Sequence, residues 1–151
     1  MNGIENLALR AATATDLEAV RELLERSDLP TGDLRTAQPQ FVIALRNNRI
    51  IGAGALQHFG TAALLRSVAV EFEWRGSGVG RRIVNELERL APAAGVTELI
   101  LLTLSARDFF ARLGYESKGR AQVPPAVLES AEFRSLCPAS AVCMAKKLSP
   151  A

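Results

Sequence analysis

The chain has 151 residues, of which 48% are hydrophobic and 23% are charged. This length is typical of a single domain with one buried core, and the composition excludes a disordered or low-complexity chain. The 18 basic and 16 acidic residues leave a formal net charge of +2, which is too balanced to indicate binding to a nucleic acid. We therefore expect one globular domain over residues 1–151.

The sequence also predicts where the protein resides and what it does not bind. Its apolar runs are far shorter than the about 20 residues that a membrane span needs, so we predict no membrane contact. The first residues lack the pattern of a secretory signal, and we expect a cytoplasmic protein. Cys137, Cys143 and the single histidine lack the spacing of a zinc site, so we predict no metal and two structural thiols.

The first half of the chain predicts a helix set among strands. Apolar alternation and short apolar runs predict strands over 7–11, 41–45, 50–59 and 64–70. Thr15 and Glu18 have the spacing of a capping box for a helix, and Pro30 ends that helix in a loop or broken helix over 30–39. Asn47 and Asn48 provide the turn of a hairpin.

The second half alternates strands with helices. Further strands are expected over 98–103, from Tyr115 and over 139–147, with a helix after the glycines at 76–80 and another that Ser105 and Asp108 cap. Hairpins followed by this alternation predict a mixed α/β fold, with one twisted sheet of about six or seven strands flanked by about four helices. A period of two places Leu64, Arg66, Val68 and Val70 on one face of their strand.

The segment from Val68 to Arg82 carries the strongest functional pattern in the chain. An apolar strand leads through a polar connector into Gly76, Gly78 and Gly80, which let the backbone bend sharply near a ligand. Apolar residues at helical spacing follow from Val79, so the glycines open a helix whose first N–H groups are free to bind a pyrophosphate. Arginines 75, 81 and 82 add positive charge beside this loop.

Two other phosphate-binding loops fit this segment less well. A P-loop requires Gly-Lys-Ser/Thr at the start of its helix, and that tripeptide is missing here. A dinucleotide fingerprint requires glycine where Arg81 stands, and it normally lies in the first strand-helix unit of the chain. A glycine-rich turn that only reverses the chain is the remaining alternative.

The motif Arg75-x-x-Gly78-x-Gly80 after a Val-x-Val strand resembles the coenzyme A loop of the GNAT superfamily of N-acetyltransferases. Downstream, LILLT at 99–103, FF at 109–110 and LGY at 113–115 are similar to that family's fifth strand, following helix and Gly-aromatic corner. The combination of LLRSVAV, ILLT, FFARLGYE and SAEFRSLCPASAVCMAKKL resembles the small acetyltransferases associated with arsenic resistance.

The resemblance implies an enzyme that transfers the acetyl group of acetyl-CoA to a primary amine by direct attack in a ternary complex. It implies a small, amino-acid-like acceptor, with an arsenic-bearing one as a variant, and a homodimer as a family-level expectation. Direct metalloid binding by Cys137 and Cys143 is the less favoured alternative to a structural role. The alternative is that the chain is a non-catalytic regulatory domain that binds acyl-CoA.

The resemblance also implies the cofactor site. In the family, the strand at 68–70 separates from its neighbour, and its free backbone groups bind the pantetheine arm and polarise the acetyl carbonyl. We assign the carbonyl contact to the backbone of Val68, since a preorganised N–H donor stabilises the developing negative charge. The predicted cofactor-binding residues are Val68, Ala69, Val70, Arg75, Gly76, Ser77, Gly78, Val79, Gly80, Arg81 and Phe109.

The catalytic acid and base are harder to place. Many relatives carry a tyrosine at Phe110 that protonates the leaving thiolate, and phenylalanine has no proton to donate. Ser105 is the tentative acid, with water as the alternative. Many relatives also carry a glutamate where Leu64 stands, and the nearest acids, Glu71 and Glu73, lie beyond the strand as bases or as solvated carboxylates. His58 is assigned as the base, acting through water because its reference pKa lies near neutrality, with an exposed or hydrogen-bonded histidine as the alternative.

Three residues are predicted to contact the acceptor. Arg66 is an arginine within an apolar strand, where it needs either the carboxylate of the acceptor or an internal acid as partner. Arg134 is either a second acceptor contact or a solvated surface residue, and Thr103 lies at the end of its strand.

Overall fold

The described residues, 6–136 and 139–149 of a computed structural model, form one mixed sheet of seven strands with the order β1-β2-β3-β4-β5-β7-β6. The strands are β1 (Leu7–Ala11), β2 (Gln40–Arg46), β3 (Arg49–Phe59), β4 (Ala62–Val70), β5 (Glu98–Thr103), β6 (Glu116–Ser117) and β7 (Val142–Lys147). The α-helices are α1 (Leu17–Arg26), α2 (Leu34–Ala37), α3 (Val79–Leu90), α4 (Arg107–Arg112) and α5 (Pro125–Leu128). The predicted α/β class and strand number are confirmed. Among these residues, no helix is both long and apolar enough to cross a membrane.

The hairpin of β2 and β3 forms where the two asparagines predict it. Asn47 and Asn48 have φ angles of 53° and 63°, the left-handed values that a two-residue turn with the twist of its strands requires. Gly54 of β3 then lets α3 lie close against the sheet, because a Cβ at this glycine would come within 2.7 Å of Ile83 Cγ2. The fully buried Ile83 and Leu87 hold α3 across the middle of the sheet.

The prediction that Leu64, Arg66, Val68 and Val70 lie on one face of β4 is wrong. Ser67 has a φ of 60°, and the β3–β4 register shifts between Ala53 and Ala55, so β4 contains a β-bulge. The extra residue reverses the alternation. Leu64 therefore packs with the cluster that includes Val127, on the side where Arg66 meets its acidic partners, whereas Val68 and Val70 pack against the cluster that contains α3.

Two predicted helix caps are also replaced by nearby residues. The backbone N–H of Thr13, and not a group at Thr15, donates to the carboxylate of Asp16 at 2.8 Å, so a short 3-10 turn precedes α1. At the start of α4, Thr103 Oγ1 accepts the N–H of Ala106 at 2.9 Å, a role that the sequence suggested for Ser105. β7 begins at Val142, because residues 139 and 140 form a turn.

Candidate active site

A cleft of about 830 Å³ opens where β4 and β5 separate. These parallel strands pair only from Ala62 with Glu98 to Leu64 with Ile100, and beyond that point each strand continues without the other. Residues lining the cleft are 27–30, 32, 65–70, 75, 101–106, 110 and 141. The separation of the two strands leaves one edge of β4 open to a ligand.

The end of β4 turns its backbone into this cleft. Val70 lies opposite Gly52 in the β3–β4 register, and the N–H of Glu71 donates to the carbonyl of Ile51 at 2.9 Å. This bond makes Val70 and Gly52 a non-hydrogen-bonded pair of the antiparallel ladder. In such a pair, the N–H and C=O groups of each residue point away from the other strand. The N–H of Val70 therefore points toward β5 and the cleft, where its carbonyl accepts Arg75 Nε at 3.0 Å.

The glycine loop lies beside the end of β4, because a Cβ at Gly80 would come within 3.6 Å of Val70 Cγ2. Gly76 and Gly78 have φ angles of 79° and 97°, and a Cβ built on either would meet no atom within 4 Å. Gly78 is the N-cap of α3, where the first N–H groups of the helix lack intrahelical partners. A Cβ at Gly80 would lie 3.4 Å from Phe109 Cζ, so these two residues, both predicted to bind the cofactor, lie next to each other. The loop thus offers free N–H groups and open space for an anion.

Three arginines supply positive charge around the loop. Arg75 lines the cleft, and its guanidinium carbon lies 5.6 Å from the centre of the Phe72 ring. Its Nε bond to Val70 leaves the two terminal nitrogens for a ligand. Arg81 and Arg82 are exposed in the first turn of α3.

An aromatic cluster closes the inner side of the cleft. Phe110 lines the cleft and meets Phe109 edge to face, with ring centres 5.0 Å apart. The only tyrosine, Tyr115, points elsewhere, because its hydroxyl donates to Glu88 Oε2 at 2.8 Å. Burial, together with Glu88, raises the pKa of Tyr115 well above its ordinary value. Ser105 and Thr103 provide hydroxyls at the cleft, and the Thr103 oxygen already caps α4.

Two predicted site residues lie away from the cleft. His58 is exposed on β3, pairs in register with Ala63, and has its Nε2 atom 2.9 Å from Gln40 Oε1. The cleft begins beyond the β4–β5 pairing, and His58 is not among the residues that line it. Arg134 is exposed in the π-helical turn Glu132–Leu136 and does not line the cleft either. The structure therefore does not bring the tentative base or this acceptor contact to the other residues.

Arg66 has the internal acid that the sequence left as one of its two partners. Its Nη1 and Nη2 atoms donate to the two carboxylate oxygens of Asp33 at 2.7 and 2.6 Å, and Glu132 lies at 3.4 Å. Gln57 Oε1 accepts a further bond from Nη1 at 2.9 Å. Because the Arg66 side chain is fully buried and held by these groups, it fits a structural role better than a contact to the acceptor's carboxylate.

A carboxylate that the sequence analysis missed also lines the cleft. Asp28 follows the last turn of α1 in the left-handed conformation, with a φ of 58°. The dipeptide Asp-Leu before Pro30 resembles ordinary loop sequence, and only the fold shows that this loop lies opposite β4.

The structure describes one of the two predicted structural thiols. Cys143 is buried in β7, and burial raises the pKa of its thiol, as expected for an unreactive structural cysteine. Cys137 lies outside the described residues. Within the described ranges, no group of three or more metal-binding side chains occurs.

The family of the chain follows from its sequence. The model of the acetyltransferase (GNAT) domain family matches residues 37–117, which include the cleft strand, the glycine loop and α4. The chain belongs to the GNAT acetyltransferase family. It is 36% identical over 77 residues to an uncharacterized N-acetyltransferase of Chlorobaculum tepidum, covering 50% of this chain and 49% of that protein. It is 29% identical over 102 residues to an IAA acetyltransferase of Azospirillum brasilense, covering 57% of this chain and 67% of that protein.

Solved structures share the fold. The N-acetylglutamate synthase of Neisseria gonorrhoeae, complexed with coenzyme A and N-acetyl-glutamate, superposes with a TM-score of 0.81 at 18% identity, over 95% of this chain and 35% of that one. Rv2747 of Mycobacterium tuberculosis, in complex with CoA and NLQ, gives 0.79 at 24% identity, over 94% and 99% of the two chains. The chain spans about half of the Chlorobaculum relative and about a third of the Neisseria synthase.

Proposed function

We propose that this domain transfers the acetyl group of acetyl-CoA to the primary amine of a small acceptor, by direct attack in a ternary complex. The observation that carries the proposal is the cleft between β4 and β5, with the N–H of Val70 at its edge and the glycine loop of α3 beside the end of β4. Family membership supports the same chemistry. Several GNAT-fold neighbours were crystallised with CoA, which is consistent with this cofactor.

The residues of the loop fit a pyrophosphate. Gly76 and Gly78 adopt left-handed conformations and have open space on the side where a Cβ would project. The N–H groups that follow at 79–81 belong to the first turn of α3, and Arg75 lies within reach of the same end of the cleft. These groups, with Ser77 and Gly80, would hold the two phosphates through backbone donors and guanidinium nitrogens.

The inner cleft would hold the reacting end. Acetyl-CoA, when bound, supplies an acetyl group activated as a thioester. The N–H of Val70 would bind the pantetheine arm, and the alternation along β4 places the N–H of Val68 beside the bulge, where it would bind the carbonyl oxygen. Phe109 and Phe110 would exclude water from this end. As the amine forms the amide it would lose a proton to water, and Ser105, or water, would supply the proton that the departing sulfur takes up.

The class of acceptor is inferred from the volume of the cleft and from the family resemblance. We infer a small amine because the cleft holds about 830 Å³ for both ligands together. The amino-acid-like acceptor retains the support of the resemblance and of the ligand named for the Neisseria neighbour, but Arg66 no longer supplies its carboxylate site. An arsenic-bearing acceptor, a homodimer and a cytoplasmic location stay predictions.

Thiol release from acetyl-CoA tests the proposal. The purified protein is assayed with a panel that contains phenethylamine, putrescine, aniline and the common amino acids, and the acetylated product is identified by mass spectrometry. Release that requires both the protein and one amine, with the matching amide, supports acetyl transfer. Binding of CoA without turnover of any amine contradicts it and favours the non-catalytic acyl-CoA-binding domain.

A further inference from the structure

Asp28 holds the one carboxylate among the described residues that line the cleft. The other charged residues there are Arg66 and Arg75. Arg66 is bound to Asp33, and Arg75 belongs to the cofactor end, where it bonds to the end of β4. A group that interacts with a positively charged ligand in this cleft must therefore be sought at Asp28.

The backbone at Asp28 is fixed in place by a Schellman motif. The N–H of Leu29 donates to the carbonyl of Leu24 at 2.9 Å, and the N–H of Asp28 donates to that of Glu25 at 3.1 Å. Ser27 Oγ adds a bond to the carbonyl of Leu23 at 2.9 Å. These bonds hold the residue that carries the carboxylate at the wall of the cleft.

After glycine, aspartate and asparagine are the residues that most readily adopt the conformation of this position, but the charge of aspartate is unfavourable here. The φ of 58° belongs to the left-handed region, and glycine is the usual residue at this place in a Schellman motif. The position also follows the C-terminal end of α1, where the helix dipole is negative and repels a carboxylate. The helix dipole therefore disfavours the free carboxylate, and a bound cation would offset that repulsion.

The charges of the cleft differ between its two ends. Arg75 is joined at the cofactor end by the exposed Arg81 and Arg82, which suit phosphates. Among the described residues, the carboxylate of Asp28 has neither a hydrogen bond nor an ion pair to a side chain. A cationic ligand would satisfy this carboxylate and the negative end of α1 together.

We propose that Asp28 binds the ammonium group of the acceptor and makes the enzyme select primary amines that are cationic at neutral pH. This inference rests on the proposed acetyl transfer. Asp28 is a binding residue here, since it is among the residues that line the cleft. The bound ammonium would release one proton to water before the neutral amine attacks the thioester. An amine that is neutral at the same pH, such as aniline, makes no ion pair with it.

The test compares Asp28→Asn with wild type and with Glu22→Gln, an exposed charge on α1 outside the cleft. Asparagine keeps the shape and tolerates the left-handed region, so this variant removes charge alone. We expect the KM for phenethylamine to rise about threefold to fivefold, the range expected for an ion pair to an exposed carboxylate that water screens. The KM for acetyl-CoA, and both constants in Glu22→Gln, should change less than about twofold.

Two further measurements keep the test decisive. Asp28→Gly should raise the Tm, because it relieves both the backbone strain and the repulsion by the helix dipole. It should also lower the affinity for the amine, because the carboxylate is gone. Calorimetric titration of phenethylamine and putrescine into the CoA-saturated protein reads the contact without turnover, so it separates this inference from failure of the proposed function. The assignment would be overturned if Asp28→Asn and wild type bound the cationic amines with equal affinity, or if wild type bound neither cation. It would also be overturned if the variant lost as much affinity for aniline as for the cationic amines.

Discussion

Gly78 combines two roles, since it caps α3 and leaves open the space that a phosphate would occupy. Gly78→Glu should abolish CoA binding, because it places a negative side chain in the anion site and strains a φ of 97°. Gly60→Glu is the matched control, because that glycine also has a positive φ of 73° and open space but lies in the turn between β3 and β4. Calorimetry with CoA is the measurement, and a similar affinity in the two variants would contradict the phosphate assignment.

Phe110 stands where many relatives of the family carry a proton-donating tyrosine, and its ring lines the cleft. If water or Ser105 protonates the leaving thiolate, Phe110→Tyr should change kcat/KM by less than about tenfold, which is under ~1.4 kcal/mol of barrier. Steady-state kinetics with the best amine of the panel measures this ratio. A gain well above tenfold would show that the natural chain lacks an adequate acid.

Arg66 is a structural residue in this fold, so its removal should affect stability first. Arg66→Ala leaves Asp33 and Glu132 beside each other without their shared guanidinium, and breaking a buried pair costs about 3–5 kcal/mol. Urea unfolding should show this loss, whereas Arg89→Ala, in an exposed pair with Glu86, should barely move the midpoint. A stable Arg66→Ala protein that loses only acceptor affinity would return Arg66 to the acceptor site.

At the scale of elements, a network joins α3, the turn after α4, and β7. Lys146 Nζ lies 3.0 Å from Glu88 Oε1 and donates to the carbonyl of Leu113 at 2.7 Å, while the Tyr115 hydroxyl bonds to the other oxygen of Glu88. Burial comes first among the causes that raise the pKa of Tyr115. The network therefore keeps the Tyr115 phenol in its neutral form and links it to Glu88 of α3, the helix that follows the glycine loop.

This raised pKa predicts a loss of stability in alkali. Below the pKa of an unfolded tyrosine, about 10, both states hold the phenolic proton and the contribution is complete. Above it, the unfolded state loses the proton while the folded state keeps it, so the free energy of unfolding falls as the pH rises. Tyr115 is the only tyrosine, so phenolate absorbance reports it alone. Ionisation near pH 10 without unfolding would contradict the buried bond to Glu88.

Sequence reasoning succeeded where an element is specified locally and failed where the cause is distant. The Asn47-Asn48 turn and the glycines before α3 are local signals, and both elements form as predicted. The bulge at Ser67 has no local signal, because it arises where β4 passes Gly54 of the neighbouring strand. That one extra residue reversed the predicted face of Arg66.

At the scale of the molecule, the fold and the glycine loop before α3 could be predicted from the sequence, and the partners of the residues around the inner cleft could not. The loop over 75–81 is continuous in sequence, whereas the acceptor end combines segments far apart in the chain. Asp33 lies 33 residues from Arg66, and Asp28 reaches the cleft only because α1 ends opposite β4. A single sequence shows that a buried arginine needs a partner, but it does not show which acid the topology supplies.

The central claim is that CoA occupies the cleft between β4 and β5, and hydrogen exchange with and without CoA tests it most directly. Bound CoA should slow amide exchange at Val68 and Val70 and over 76–81, because those N–H groups would then be bonded to the ligand. Exchange around His58 and Gly60, which lie outside the cleft, should not change. Slowing that is absent from 68–70 and 76–81, or that appears only elsewhere, would contradict the account.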